Sequence, residues 1–95
     1  MLNILSIREA APPSFFIYIL QLQTGQFYCG ITNNLQRRYK EHSEYKKSWA
    51  SKQGVVKMIW SIGVSTRGKA RVIEKYIKRY GVCKFVLYLR VNNQL

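Results

Sequence analysis

Tyr18 and Tyr28 stand ten residues apart, and Asn34, Arg38 and His42 follow at spacings of four. On a helix, residues four apart are neighbours, so the last three would share one stripe. On spacing alone, Arg38 and His42 read as an ordinary solvated face. Two tyrosines in a hairpin read as packing residues with their hydroxyls at the rim. The acids say more. There is no aspartate, and the only carboxylate side chains are Glu9, Glu41, Glu44 and Glu74. A site holding two metal ions close together needs several carboxylates, which this chain cannot readily supply. Glu74 lies among Lys69, Arg71, Lys75, Lys78 and Arg79. Its ordinary reading is an ion pair with Lys78 or Arg71, worth about 0.2–0.5 kcal/mol on an exposed helix. Its chemical reading is a single metal ligand, with phosphate and water completing the shell.

The chain has 95 residues, enough for one domain with one core. A hydrophobic content of 47% with 14% aromatic residues argues for a folded globule rather than a disordered tail. The formal charge of +12 calls for a polyanionic partner, and nucleic acid is favoured because basic side chains release counterions from phosphates. A membrane surface is disfavoured, since charges are scattered among core positions rather than segregated on one face. No stretch has the length of a transmembrane span, and Arg8 and Glu9 interrupt the apolar amino-terminal patch, unlike a secretory signal. Cys29 and Cys83 make no disulfide framework and no zinc site by themselves. A buried, reduced Cys29 is expected. The expected compartment is the cytoplasm, or the host-cell cytoplasm for a viral protein.

The elements that must position these residues follow from pattern. Residues 1–14 are expected to form a mobile leader ending at Pro12 and Pro13, with one domain over 15–95. Phe15 to Leu22 and Gln26 to Thr32 predict two strands around the turn Gln23-Thr24-Gly25. A three-residue loop wants glycine at its third position. That loop sets Leu22 opposite Gln26, Leu20 opposite Tyr28 and Tyr18 opposite Gly30. Tyr18, Tyr28 and Gly30 then share a face, with Gly30 leaving room for the Tyr18 ring. A two-residue loop would put the tyrosines on opposite faces. Asn33 and Asn34 offer caps for a basic helix from Leu35 to about Tyr45, with Leu35 and Tyr39 as its apolar stripe. A polar stretch from Lys46 to Gly54 precedes a third strand, Val55 to Val64. Ser65 and Thr66 cap a second helix with Ala70, Ile73, Ile77 and Tyr80 at helical spacing, and Gly81 stops it. Phe85 to Val91 alternates poorly but could form one more, short strand after the β-β-α-β-α order.

Phe16-Ile17-Tyr18 and Tyr28-Cys29-Gly30 resemble the paired motifs of the GIY-YIG nuclease superfamily. The likeness continues through Thr32, Asn34-Leu35, Arg38 and His42 to Ala70 and Glu74-Lys75-Tyr76-Ile77-Lys78. It covers about Phe15 to Tyr80, and its ordered set of residues is far more specific than either tripeptide. Phe16 replaces the first motif's glycine. Ile31 stands where DNA-repair excision members carry lysine, which favours small stand-alone members or homing and restriction types. Element order and resemblance together imply an α+β domain, a small antiparallel three-stranded sheet flanked by helices in the order β-β-α-β-α.

The resemblance implies a metal-dependent endonuclease that hydrolyses DNA phosphodiester bonds, with Tyr18, Tyr28, Arg38, His42 and Glu74 as its catalytic set. Glu74 would hold one Mg²⁺ (or Mn²⁺) and Arg38 would neutralise the scissile phosphate. Tyr28 would orient or deprotonate water, with Tyr18 or His42 as substitutes. Arg37, Lys40, Lys46, Lys47, Lys52 and Lys69 are expected phosphate contacts. Trp49 is read equally as a base-stacking or a core residue, and Trp60 as core. Specificity would come from the 46–54 stretch, the carboxyl end, a homodimer or a partner protein. A non-catalytic nucleic-acid-binding module would share the charge and fold without needing Glu74. An inhibitory copy of the fold would have no chemical reason to keep all six motif residues, Gly30 included.

Overall fold

Alternation along the first two strands decides the architecture. The computed structural model describes residues 12–42 and 52–95, and within it β1 (Phe15–Leu22) pairs antiparallel with β2 (Phe27–Thr32). Leu22 and Gln26 close the hairpin through a 2.9 Å backbone bond, and Gly25 takes φ +88° at the third loop position. The loop is therefore the three-residue form, which requires a left-handed last residue. Tyr18 pairs with Gly30 and Leu20 with Tyr28, the register that the sequence predicts. A side chain on Gly30 would meet the Tyr18 hydroxyl at 2.5 Å and Cζ at 2.7 Å, so only glycine leaves that ring its place.

β3 (Val55–Val64) pairs antiparallel with the other side of β1, which gives the order β2-β1-β3 and leaves β2 at an edge. Its pairing slips between Ile19, opposite Trp60, and Leu20, opposite Met58. The extra residue is a bulge, and it resets which side chains face which way. Trp60 and Ile62 accordingly pack with Ile17, Ile19 and Cys29, whereas Met58 and Val55 pack with Tyr18, Leu20 and Leu22. The amino-terminal approach is tied here too: Ser14 N–H donates to the Val64 carbonyl, and Pro13 lies where a Gly63 side chain would be.

Each face is covered by helix. On the Tyr18 face, α1 (Leu35–Lys40) packs Leu35 and Tyr39 against the sheet. Asn34 caps it by accepting from Arg37 N–H, and the chain continues through a π-type turn at Glu41 and His42. The further extension of this helix to Tyr45 lies outside the described residues. On the other face, α2 (Arg67–Tyr80) is capped by Thr66 and buries Ala70, Ile73 and Ile77, while Tyr80 stays exposed. Gly81 ends it with a bond to Ile77.

The final element corrects the sequence-based expectation. Val82–Val91 is a helix, α3, not a strand. Its buried residues Phe85, Val86 and Leu89, with half-buried Val82, follow helical spacing and complete the core around Ile17, Ile19 and Ile77. Branched and aromatic residues suggested a strand, but one buried stripe against α2 outweighs that weak intrinsic preference. Trp60 meets Phe85 edge-on, with ring centroids 5.2 Å apart, as a core residue.

Gly30→Ala is expected to destabilise the protein by about 1–3 kcal/mol, the usual cost of overpacking. Gly68→Ala, whose new methyl meets nothing closer than 4.0 Å, should be neutral or stabilising by up to about 1 kcal/mol. Denaturant midpoints of the two variants check the contrast, and equal midpoints would mean the Tyr18 ring is not confined by Gly30.

Candidate active site

The Tyr18 hydroxyl is the centre of the site. The Tyr18 residue is fully buried, and its oxygen lies 2.9 Å from His42 Nε2 and 3.3 Å from Arg38 Nε. Arginine can only donate, so the hydroxyl accepts from Arg38. Its own proton then has one acceptor among the described residues, His42 Nε2, which places the imidazole proton on Nδ1. Burial raises the Tyr18 phenol to about 12 despite the Arg38 bond, so it stays protonated. Tyr18, Tyr28 and His42 form a triangle of rings with centroids 5.5–6.3 Å apart. Tyr28 is the more exposed of the two tyrosines, which leaves it the phenol that solvent can approach.

Arg38 is held at a second point. Its Nη1 donates to Glu41 Oε2 at 2.7 Å, and the same carboxylate reaches Arg37 Nε at 3.5 Å. The Tyr18 bond and the Glu41 pair both favour the charged guanidinium, and its pKa is raised. Arg38 in turn holds the Glu41 carboxyl below its ordinary range. Arg37 also donates to Asn33 Oδ1 at 2.6 Å. Sequence reasoning did not give Glu41 a role, although its i+3 and i+4 offsets from Arg38 and Arg37 are the signal for both pairs.

These arginines line a groove of about 390 Å³ with Thr32, Asn33, Glu41 and Arg67. Phe15 and Ile31 supply its apolar part. Thr32 is buried and exchanges hydrogen bonds with the Asn34 backbone, fixing the turn from β2 into α1. Arg67, the first residue of α2, belongs to the opposite layer from Arg38. The groove therefore joins the two layers at the Thr32 end of β2. Arg67 is a second residue that the sequence did not single out, because no local spacing relates it to α1.

Glu74 stands apart from the cluster. Its carboxylate, 20% exposed, pairs with Lys78 at 3.3 Å, the ordinary ion pair foreseen from spacing. Its charge, after burial, also pushes up the Cys29 thiol, to about 12. Glu74 thus belongs to the layer that packs on the Cys29 face of the sheet, opposite the face of Tyr28 and Tyr18. Because i and i+7 share a helix stripe, Arg67 and Glu74 lie on the same side of α2.

The other expected contacts are dispersed. Lys40 is exposed beside Asn34, Gln36 and Arg37. Lys69 is exposed and donates to Ser65, and Lys52 is exposed just before β3. Lys46, Lys47 and Trp49 lie outside the described residues. Among the described residues, no three of His, Cys, Asp and Glu converge to hold a metal. Both cysteines are unpaired, Cys29 buried and Cys83 exposed. No helix among the described residues is long and apolar enough to cross a membrane.

His42 generates a pH dependence. Burial first, then the Arg38 charge, holds its imidazole below the ordinary 6.5. The unfolded chain thus takes up this proton at higher pH than the folded one, so stability from neutral His42 is present above about pH 6.5 and lost as pH falls below it. His42 is the chain's one histidine. The melting temperature is expected to fall between pH 7 and 5, with a clearly smaller fall in His42→Gln. Parallel curves would mean that His42 titrates freely in the folded protein.

A family model described as the GIY-YIG catalytic domain matches residues 14–81. A UPF0213 protein of Limosilactobacillus reuteri is 34% identical over 71 residues, covering 72% of this chain and 74% of that protein. A UPF0213 protein of Bacillus licheniformis is 31% identical over 67 residues, covering 70% and 69%. One from Vibrio campbellii is 28% identical over 72 residues, covering 75% and 69%. No solved structure matches the chain significantly. The matched span runs from the last residue before β1 to the glycine that ends α2, and so takes in the tyrosine pair, the arginine groove and Glu74: the chain belongs to the GIY-YIG catalytic-domain family of nucleases.

Proposed function

We propose that the protein is a metal-dependent endonuclease that hydrolyses DNA phosphodiester bonds at the β2 edge. The observation that carries this reading is Arg38, a guanidinium pinned by Tyr18 and Glu41 beside the half-buried Tyr28 and lining an arginine-rich groove. A planar fork held in place before substrate arrives loses little freedom on gripping a phosphate. Its fixed positive charge then neutralises the charge that builds on the phosphoryl oxygens.

The remaining residues take complementary parts. Tyr28 orients the attacking water with its hydroxyl. Tyr18, buried and protonated, positions Arg38 and passes its proton's bond to His42 rather than touching substrate. Glu74, a carboxylate in no cluster of three ligand-type residues among the described residues, suits Mg²⁺ (or Mn²⁺), which takes one or two carboxylates and fills its shell with water and phosphate. Structural zinc, which asks for four nitrogen or sulfur ligands, does not fit this donor set. The bound ion would supply Lewis-acid stabilisation of the phosphate. Lys78 holds the Glu74 carboxylate in the meantime. DNA along the free β2 edge would meet Tyr28 and Arg38 on one side and Glu74 on the other. The exposed Lys40, Lys52 and Lys69 add to the field that draws it in.

Plasmid DNA should be cut in Mg²⁺ and left intact in EDTA. Glu74→Gln should fold and bind DNA normally while losing cleavage. If it cuts like the parent, Glu74 is only the partner of Lys78, and a protein that binds without cutting would be the non-catalytic module.

The tyrosines should separate in a different way. Tyr28→Phe is expected to keep its stability and lose turnover. Tyr18→Phe leaves buried His42 without its donor and should lose about 1–3 kcal/mol of stability as well as activity. Urea unfolding beside single-turnover rates checks this, and identical profiles for both variants would refute the division of roles.

A further inference from the structure

Three guanidinium groups reach the groove at the Thr32 end of β2, and they are not equivalent. Arg37 and Arg38 share the Glu41 carboxylate, and each has a further partner, Asn33 for Arg37 and Tyr18 for Arg38. Arg67 makes no hydrogen bond or ion pair among the described residues. It comes from the opposite layer, yet it lines the same groove. With one carboxylate against three guanidinium groups among the described residues, their side chains leave an uncompensated charge of about two units in the groove. Nothing in the fold needs Arg67 there, since Thr66 caps α2 and Ala70, Ile73 and Ile77 anchor it.

We propose that this groove is a second phosphate subsite, in which Arg67 grips a DNA backbone phosphate next to the one held by Arg38. The inference rests on the nuclease reading and adds a residue that fixes how the strand lies. The backbone passes from Arg38, around the end of β2, to Arg67, and so onto the α2 stripe that carries Glu74. Arg67 contributes to binding and register rather than to the bond-breaking step. Arg71, exposed on the same helix and outside the groove, carries equal charge without that role.

The test compares the parent protein with Arg67→Gln, Arg67→Lys and Arg71→Gln on one oligodeoxynucleotide duplex across a salt series, with kcat and KM measured in Mg²⁺. Losing one phosphate contact should make the log–log salt slope shallower by about 0.9 in Arg67→Gln. Its KM should rise with kcat held, Arg67→Lys should keep most of the slope, and Arg71→Gln should match the parent. Equal slopes for Arg67→Gln and Arg71→Gln overturn the subsite while leaving the nuclease reading intact. The expected slopes in a protein that never cleaves overturn the nuclease reading and keep the phosphate groove. A parent that binds no DNA removes both.

Discussion

A buried hydroxyl must have its hydrogen bonds made inside the protein, and the Tyr18 hydroxyl meets that demand by tying α1 to the sheet. α1 has only six residues, far short of the length at which a helix holds itself together. Its place depends on the packing of Leu35 and Tyr39 and on the Tyr18 hydroxyl, which accepts from Arg38 and donates to His42. That oxygen is reachable because Gly30 has no side chain. The absence of one methyl group thus fixes a ring, the ring fixes a guanidinium, and the guanidinium lines the groove.

The sheet separates two tasks while keeping them in contact. One face, with α2 and α3, holds most of the aliphatic core. The other holds the tyrosines and α1. At the Thr32 end of β2, groups on the two layers meet without crossing the sheet. Arg67 and Arg38 do so in a single groove. The bulge in β3 lets one ten-residue strand feed apolar side chains to both layers.

Much of this was legible in the sequence, for reasons that differ by element. Period two and a three-residue turn ending in glycine determined the hairpin register, and with it the shared face of Tyr18, Tyr28 and Gly30. Helical spacing of four placed Arg38 and His42 together, and the Glu74–Lys78 pair followed the same rule. Val82, Phe85, Val86 and Leu89 also have helical spacing, but their branched and aromatic types favoured a strand until their packing on α2 was seen. The Arg67–Arg38 proximity was not legible, because it arises from tertiary packing of the two layers at the end of β2. The tautomer of His42 and the protonated state of Tyr18 depend on burial, which no local pattern reports.

The two cysteines differ enough to give the molecule a chemical handedness. Thiolates, not thiols, react with alkylating reagents. Cys29 is shut in the core with its thiol held protonated, whereas Cys83 is open to solvent at the start of α3. A maleimide reagent at neutral pH should therefore find one address, on the layer across the sheet from Tyr18. A dye or a solid support attached there would leave the tyrosine face clear, so the molecule can be watched or tethered without touching its arginine groove.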